Sequence, residues 1–238
     1  MSVLAIIPAA GMGLRMGGGT PKQFLSLDGV PIFVHTLRKF SGSSVIDMIY
    51  LGVRSEEKER VGPALANERL AKPVRVVDGG ATRHETVAKA LEAAPADTEV
   101  VLVHDAVRPF VGLEMIGRVV EAARRDGAAI LGIPSVDTVK QVERQTILGT
   151  LPRERIVLAQ TPQAFRYPIL REAFTRAKTE DFVGTDESSL VERLGLNVTV
   201  LMGSDRNIKI TKPSDLALAR LYLVQETELL GTAQQGTR

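Results

Sequence analysis

The sequence predicts an α/β fold built on a mainly parallel sheet, and three observations predict it. Short apolar runs alternate with helix-period segments along most of the chain, the pattern of strands separated by crossover helices. Val100–Val103 is apolar at every position, as a strand covered on both faces must be. The first apolar run also passes directly into a glycine-rich connection, as in α/β sheets that bind ligands beyond their strand ends.

Taken in order, the expected strands are Val3–Pro8, Ile46–Val53, Val74–Val77, Val100–Val103, Ala128–Ile133 and Val198–Met202. The helix-period segments between and after them are Pro31–Phe40, Glu56–Leu70, Thr82–Ala94, Leu113–Arg125, Tyr167–Lys178, Asp186–Leu194 and Ser214–Leu230. Thr82 and Glu85 stand at capping-box spacing, and Val87, Ala88, Leu91 and Ala94 give the following helix its buried stripe. Two stretches break the rhythm. Residues 9–30 form a long connection after the first strand, and connections of that length in compact domains are usually functional. Residues 135–160 are mostly polar with partial alternation, which reads as an extended β-arm rather than a core element. No proline- or serine-rich linker divides the chain, so residues 1–230 read as a single domain carrying an arm at about 135–160. The last eight residues, 231–238, are expected to be disordered.

Composition excludes several chemistries. The 238 residues include no cysteine, so disulfide scaffolds, thiolate metal sites and a cysteine nucleophile are ruled out. Three dispersed histidines (His35, His84, His104) argue against an imidazole-rich metal centre. A metal should therefore be a hard cation held by oxygens, such as Mg²⁺. The net charge is only +2, no run of five like charges occurs, and aromatic residues make up 4%, which leaves little for nucleic acid to bind. Residues 1–27 contain two cations, Arg15 and Lys22, and no acid, while the remaining 211 residues carry 28 basic and 28 acidic side chains. The formal charge therefore belongs to the first loop. The apolar run Val3–Ala10 is too short to span a bilayer and lacks a basic leader, so no membrane partner is expected and the cytoplasm is the expected compartment.

Four stretches carry candidate chemistry. The first, Pro8 to Lys22, has five glycines within positions 11–19, which lets backbone N–H groups approach a polyanion, and adds the cations Arg15 and Lys22. Its spacing misses both common phosphate motifs by one residue. Gly17 stands where G-x-G-x-x-G requires position 16, and Gly19 replaces the lysine of a Walker loop. The second is His104-Asp105-Ala106-Val107-Arg108-Pro109, at a strand's carboxyl end. There Asp105 can hold Mg²⁺ or a substrate hydroxyl, and Arg108 can fork onto a phosphate. The alternative is an Asp–Arg pair that staples a loop, while His104 reads as a locally bonded core residue. In the third, Asp78–Thr86, exposed N–H groups and the Thr82 and Thr86 hydroxyls could read a base edge. The fourth, Asn207–Thr211, places Lys209 in what reads as a short apolar strand, where it must snorkel or meet an anion. Arg153 and Thr138 lie in the polar arm, and Thr185 reads as the N-cap of a helix.

In order along the chain, PAAGxGxRM, PKQF, VVDGG, HDAVRPF, VDTVK, TPQAF, TDE and NIKIT appear between Val3 and about Tyr222. This set resembles the 2-C-methyl-D-erythritol 4-phosphate cytidylyltransferase family of non-mevalonate isoprenoid biosynthesis. The resemblance implies a Rossmann-like nucleotidyltransferase domain, a Mg²⁺-dependent reaction with CTP, and a homodimer that swaps its arms. It also implies that Arg15 and Lys22 stabilise triphosphate charge, and that Lys209 faces the α-phosphate and the incoming substrate. Arg153, with Thr138 beside it, would grip methylerythritol phosphate in the partner's site. A cytosine pocket is implied at Ala9, Ala10, Gly80, Ala81 and Thr86, and further substrate contacts at Gly11, Gly13, Ala106, Arg108, Thr161 and Thr185. Asp105 is implied beside substrate and metal. One departure is Ala81, where several relatives carry Asp.

The implied chemistry suits these residues. A phosphate monoester is already mostly ionised near neutral pH, its second pKa being about 6, so its attack on the α-phosphorus of CTP needs no general base. Two polyanions must meet, which makes the barrier largely electrostatic and positional. Three other readings remain at this level. A ribitol 5-phosphate cytidylyltransferase shares HDAVRPF, although Pro8–Gly11 and Thr185–Glu187 favour the methylerythritol enzyme. An NADP-dependent oxidoreductase would use Val53-Arg54-Ser55 at the second strand's end. A nucleotide-binding module without turnover is the third.

Overall fold

The computed structural model describes residues 1–11 and 20–235. Gly13 and Arg15 lie outside them. The chain begins with β1 (Ser2–Pro8), a short hairpin of β2 (Ser26–Leu27) and β3 (Val30–Pro31), and α1 (Ile32–Ser41). It continues through β4 (Met48–Val53), α2 (Lys58–Leu65), β5 (Val74–Asp78), α3 (Arg83–Glu92), β6 (Thr98–Val103), α4 (Leu113–Asp126) and β7 (Ala128–Pro134). Then come the hairpin β8 (Val139–Glu143) and β9 (Thr146–Leu151), the long strand β10 (Val157–Arg166), α5 (Tyr167–Thr179), α6 (Glu187–Arg193), β11 (Thr199–Met202) and α7 (Pro213–Gln235). Seven strands form one sheet in the order β11-β7-β10-β6-β1-β4-β5, parallel throughout except for β10.

The sheet is covered on both faces, which is why its central strands read as unbroken apolar runs. Val3, Ala5 and Ile7 of β1 point into a layer with Phe33, Val34 and Leu37 of α1 and Ile116 and Val119 of α4. Leu4 and Ile6 point the other way, towards Val87 of α3, Leu170 of α5 and Leu190 of α6. The two-residue alternation of β1 thus feeds two separate cores.

All six expected strands are present with ends shifted by at most two residues. The seventh, β10, overturns part of the arm reading, because Val157–Gln160 belong to the main sheet and the protruding hairpin is only β8–β9. Polar side chains hid this strand. Gln160, Thr161 and Gln163 are buried within it, and the glutamines reach the Ser204 carbonyl and the Asp186 carboxylate. The pairing with β7 slips between Gln160 and Gln163, which breaks the alternation a sequence reader looks for. Helix α2 is shorter than expected. Pro63 lacks the N–H that continues a helix, and α2 stops two residues later. At the other end, α7 runs to Gln235, into the segment expected to be disordered, and residues 236–238 lie outside those described. Among the described residues no helix is long and apolar enough to cross a membrane.

Candidate active site

The chain leaves β1 for β4 and β5 on one side, then returns to β6 on the other. Loops at the carboxyl ends of these strands therefore diverge and leave a crevice, where ligands of open α/β sheets bind. Three of the four candidate stretches follow strands at this edge, the first through its described residues. Ala9 and Ala10 follow β1 and are buried, with the Ala9 N–H bonded to the Gly52 carbonyl at 2.7 Å. Gln23 holds the turn from behind, since its Nε2 donates to the carbonyls of Ala9 (2.5 Å) and Gly11 (3.0 Å). That bond was not foreseen, although Gln23 sits inside PKQF. It places half-buried Lys22, which opens a 3-10 turn at 22–24, next to the end of β1.

The loop between β5 and α3 packs on this turn. A Cβ at Gly79 would stand 2.5 Å from the Ala10 Cβ, and one at Gly80 only 2.3 Å from the Glu85 Cβ. Both positions need glycine for close approach. Thr82 caps α3 by accepting from the Glu85 N–H, as the spacing predicts, and Glu85 reaches back to the Ala81 N–H. The Thr86 hydroxyl accepts from the Gly80 N–H (3.0 Å) and donates to the Thr82 carbonyl (2.8 Å). Buried Thr86 therefore shapes the loop rather than presenting its hydroxyl as an open reader. Ala81 is exposed.

The second stretch, after β6, forms the electrostatic centre. Asp105 is buried at the end of β6, and its carboxylate meets three cations. Oδ1 accepts from Arg83 Nε at 3.1 Å, while Oδ2 lies 3.3 Å from Arg108 Nε and 2.9 Å from Lys209 Nζ. Burial opposes ionisation, but Arg83, Lys209 and Arg108 together hold the carboxyl far below the usual carboxylate range. The backbone is equally fixed. The Asp105 N–H donates to Thr161 Oγ1 (3.1 Å), and the Ala106 carbonyl accepts from Thr36 (2.9 Å). Arg108 also donates to the Asn207 carbonyl, and Asn207 Nδ2 to the Thr161 carbonyl. His104 is wholly buried between Thr161 Oγ1 and the Arg108 carbonyl, the local bonding expected of it. Burial lowers its pKa to about 4, so it stays neutral.

Lys209 lies in an irregular segment after β11, not in the strand its apolar neighbours suggest. It meets an anion rather than snorkelling. Sequence reasoning missed Arg83 and Glu187, a bidentate pair with Nη1–Oε1 at 2.7 Å and Nη2–Oε2 at 3.0 Å. Their only signal was a basic residue three positions beyond VVDGG and an acidic residue inside TDE. The N-cap of α6 is Asp186, accepting from the Ser189 N–H, so exposed Thr185 stands one residue outside the cap. Arg153 and Thr138 remain on the arm. Arg153 donates to the Val136 carbonyl at 2.9 Å, and Thr138 is exposed.

A hard cation here would be held largely by substrate oxygens. Among the described residues no three histidine, aspartate or glutamate side chains come together as a metal cage. Mg²⁺ in nucleotide sites characteristically takes one or two carboxylates and completes its shell with phosphate oxygens and water. Asp105 is an ionised carboxylate at this crevice, and its oxygens are held by Arg83, Arg108 and Lys209.

A family profile described as 2-C-methyl-D-erythritol 4-phosphate cytidylyltransferase matches residues 3–225. The chain belongs to that family. A curated relative of that name from Solibacter usitatus is 51% identical, with 95% of this chain and 97% of the relative covered. One from Acidobacterium capsulatum is 49% identical over 95% and 99%. The crystal structure of 4-diphosphocytidyl-2C-methyl-D-erythritol synthase from Anaerococcus prevotii superposes with a TM-score of 0.83 at 32% identity, covering 93% of this chain and 96% of that one. The chain is a cytidylyltransferase of 2-C-methyl-D-erythritol 4-phosphate, and these relatives lend no support to a ribitol phosphate enzyme or an oxidoreductase.

Proposed function

We propose that the crevice at the ends of β1, β5 and β6 carries out the family's reaction, with each substrate on its own side of Asp105. A phosphate oxygen of methylerythritol phosphate attacks the α-phosphorus of CTP, the α–β bridging bond breaks, and pyrophosphate leaves with that electron pair. The products are 4-diphosphocytidyl-2-C-methyl-D-erythritol and pyrophosphate. The observation that carries this reading is the Asp105–Lys209 contact of 2.9 Å. It fixes an ammonium beside Arg108 at the crevice, where charge on an α-phosphate would be met.

The turn Ala9–Gly11 and the Gly80–Thr86 loop form the nucleoside side. Backbone groups at Ala9, Ala10, Gly80 and Ala81 read cytosine, and the absence of a side chain at Gly79 and Gly80 sets how closely the loops pack. Because the Ala81 N–H is already tied to Glu85, the missing carboxylate at this position leaves the loop's frame intact. Gly11, Gly13, Arg15 and Lys22 cradle the triphosphate, and Asp105 with Ala106 borders the ribose and α-phosphate. Mg²⁺ bound beside Asp105 and the phosphates would neutralise triphosphate charge and make the α-phosphorus more electrophilic. Arg108, Thr161, Thr185 and Lys209 face the second substrate.

Arg153 and Thr138 complete that half of the site from the partner subunit of a homodimer. Supporting this, the β8–β9 hairpin exposes Val142, Ile147, Leu148 and Leu151, and Val157 and Leu158 are exposed at its base. Apolar side chains grouped on a protruding arm mark an association surface. The reaction is placed in the cytoplasm, where CTP is available. Separate incubations with CTP, Mg²⁺ and either methylerythritol phosphate or ribitol 5-phosphate test the assignment by pyrophosphate release. Turnover with methylerythritol phosphate alone is expected, and turnover only with ribitol 5-phosphate would overturn it.

A further inference from the structure

The catalytic cluster has an outer layer that the motifs do not explain. Glu187, at the start of α6, is 1% exposed and clamps both terminal nitrogens of Arg83. The third nitrogen of that guanidinium, Nε, reaches Asp105 Oδ1 at 3.1 Å. The other Asp105 oxygen contacts Lys209 at 2.9 Å. A guanidinium is planar and rigid, so fixing its fork fixes the direction of its Nε–H. Arg83 thus holds the Asp105 carboxylate through Oδ1, which aims Oδ2 at the Arg108 and Lys209 side.

We propose that Arg83 and Glu187 are positioning residues, which set the Asp105 carboxylate and through it the Lys209 ammonium for attack at the α-phosphate. The inference rests on the roles given above to Asp105 and Lys209. Neither Arg83 nor Glu187 needs to touch substrate. The clamp also ties the first turn of α3, next to the base-reading loop, to the start of α6, so both substrate sides refer to one carboxylate.

The test is the double exchange Arg83→Gln, Glu187→Gln, which removes both charges together and strands neither. In the full-length enzyme, kcat per folded molecule is expected to fall about 10- to 100-fold, as for loss of a ligand's outer-shell support, with the KM for CTP changed less than about threefold. In a Lys209→Gln background the same exchange should cost less than about threefold, because groups that act as one unit are not additive. Wild-type kcat in the double variant, or an undiminished loss in the Lys209→Gln background, would overturn the positioning role. A merely structural staple would lower thermal stability without this split. If the double variant does not fold, Arg83→Lys poses the same question. It keeps the charge without the fork, so kcat should stay at least about threefold down, and a wild-type value would refute the idea. Full turnover in Lys209→Gln alone would instead overturn the parent reading.

Discussion

Asp105→Asn removes the one anion that three cations share, and its cost can be worked from the contacts. Removing one partner of a buried ion pair costs about 3–5 kcal/mol when the other charge is stranded. Here the side chains of Arg83 and Lys209 are 31% and 38% exposed, and Arg83 keeps Glu187, so both regain solvent or a partner. Arg108 is 11% exposed but retains the Asn207 carbonyl. The penalty should shrink accordingly to about 2 kcal/mol, or roughly 4–8 °C in Tm for a chain of this size. Turnover should fall by at least about 100-fold, because Lys209 loses its anchor beside the reacting phosphate. Acid should erase the difference in stability. The folded-state pKa of Asp105 lies below its ordinary value of 3.8, so its contribution is complete above that pH and is lost as pH falls below it. Urea midpoints of wild type and variant, measured from pH 7 down to pH 3, should stay a constant distance apart near neutrality and begin to close only below 3.8. Equal midpoints at pH 7 would refute the view of Asp105 as the hub.

Further outcomes follow from other parts of the site. Gly80→Ala would drive a Cβ to 2.3 Å from that of Glu85 and displace the base loop, so the KM for CTP should rise about tenfold; initial rates with CTP varied check this. His104 titrates near 4 when folded against an ordinary 6.5, so protons favour the unfolded chain between those values. Stability should drop by up to roughly 3 kcal/mol as pH falls from 6.5 to 4, and denaturant titrations of His104→Gln should show a shallower decline. Lys22→Ala and Arg153→Ala, each inactive alone, should regain activity when mixed if the site spans two subunits; confirmed heterodimers without activity would contradict the swapped arm.

The sequence alone determined the class of sheet and the segments that line the site. Continuous apolar strands such as Val100–Val103 signal two-sided burial through chemistry that depends on neighbours along the chain. The cap at Thr82 is equally local, needing only a hydroxyl three residues before an acid. Glycine bunching after β1 and a lone lysine among apolar residues likewise announce themselves. Strand β10 escaped because its buried glutamines are satisfied by Ser204 and Asp186, partners far away in sequence. The fork of Glu187 on Arg83 joins residues 104 positions apart, and no periodicity records such a pair. Asp105, Arg108 and Lys209 could each be named from their motifs. Only folding decided that they meet at one carboxylate, because charges couple through distance in space, and the segment after β11 crosses back past β10 to the end of β6.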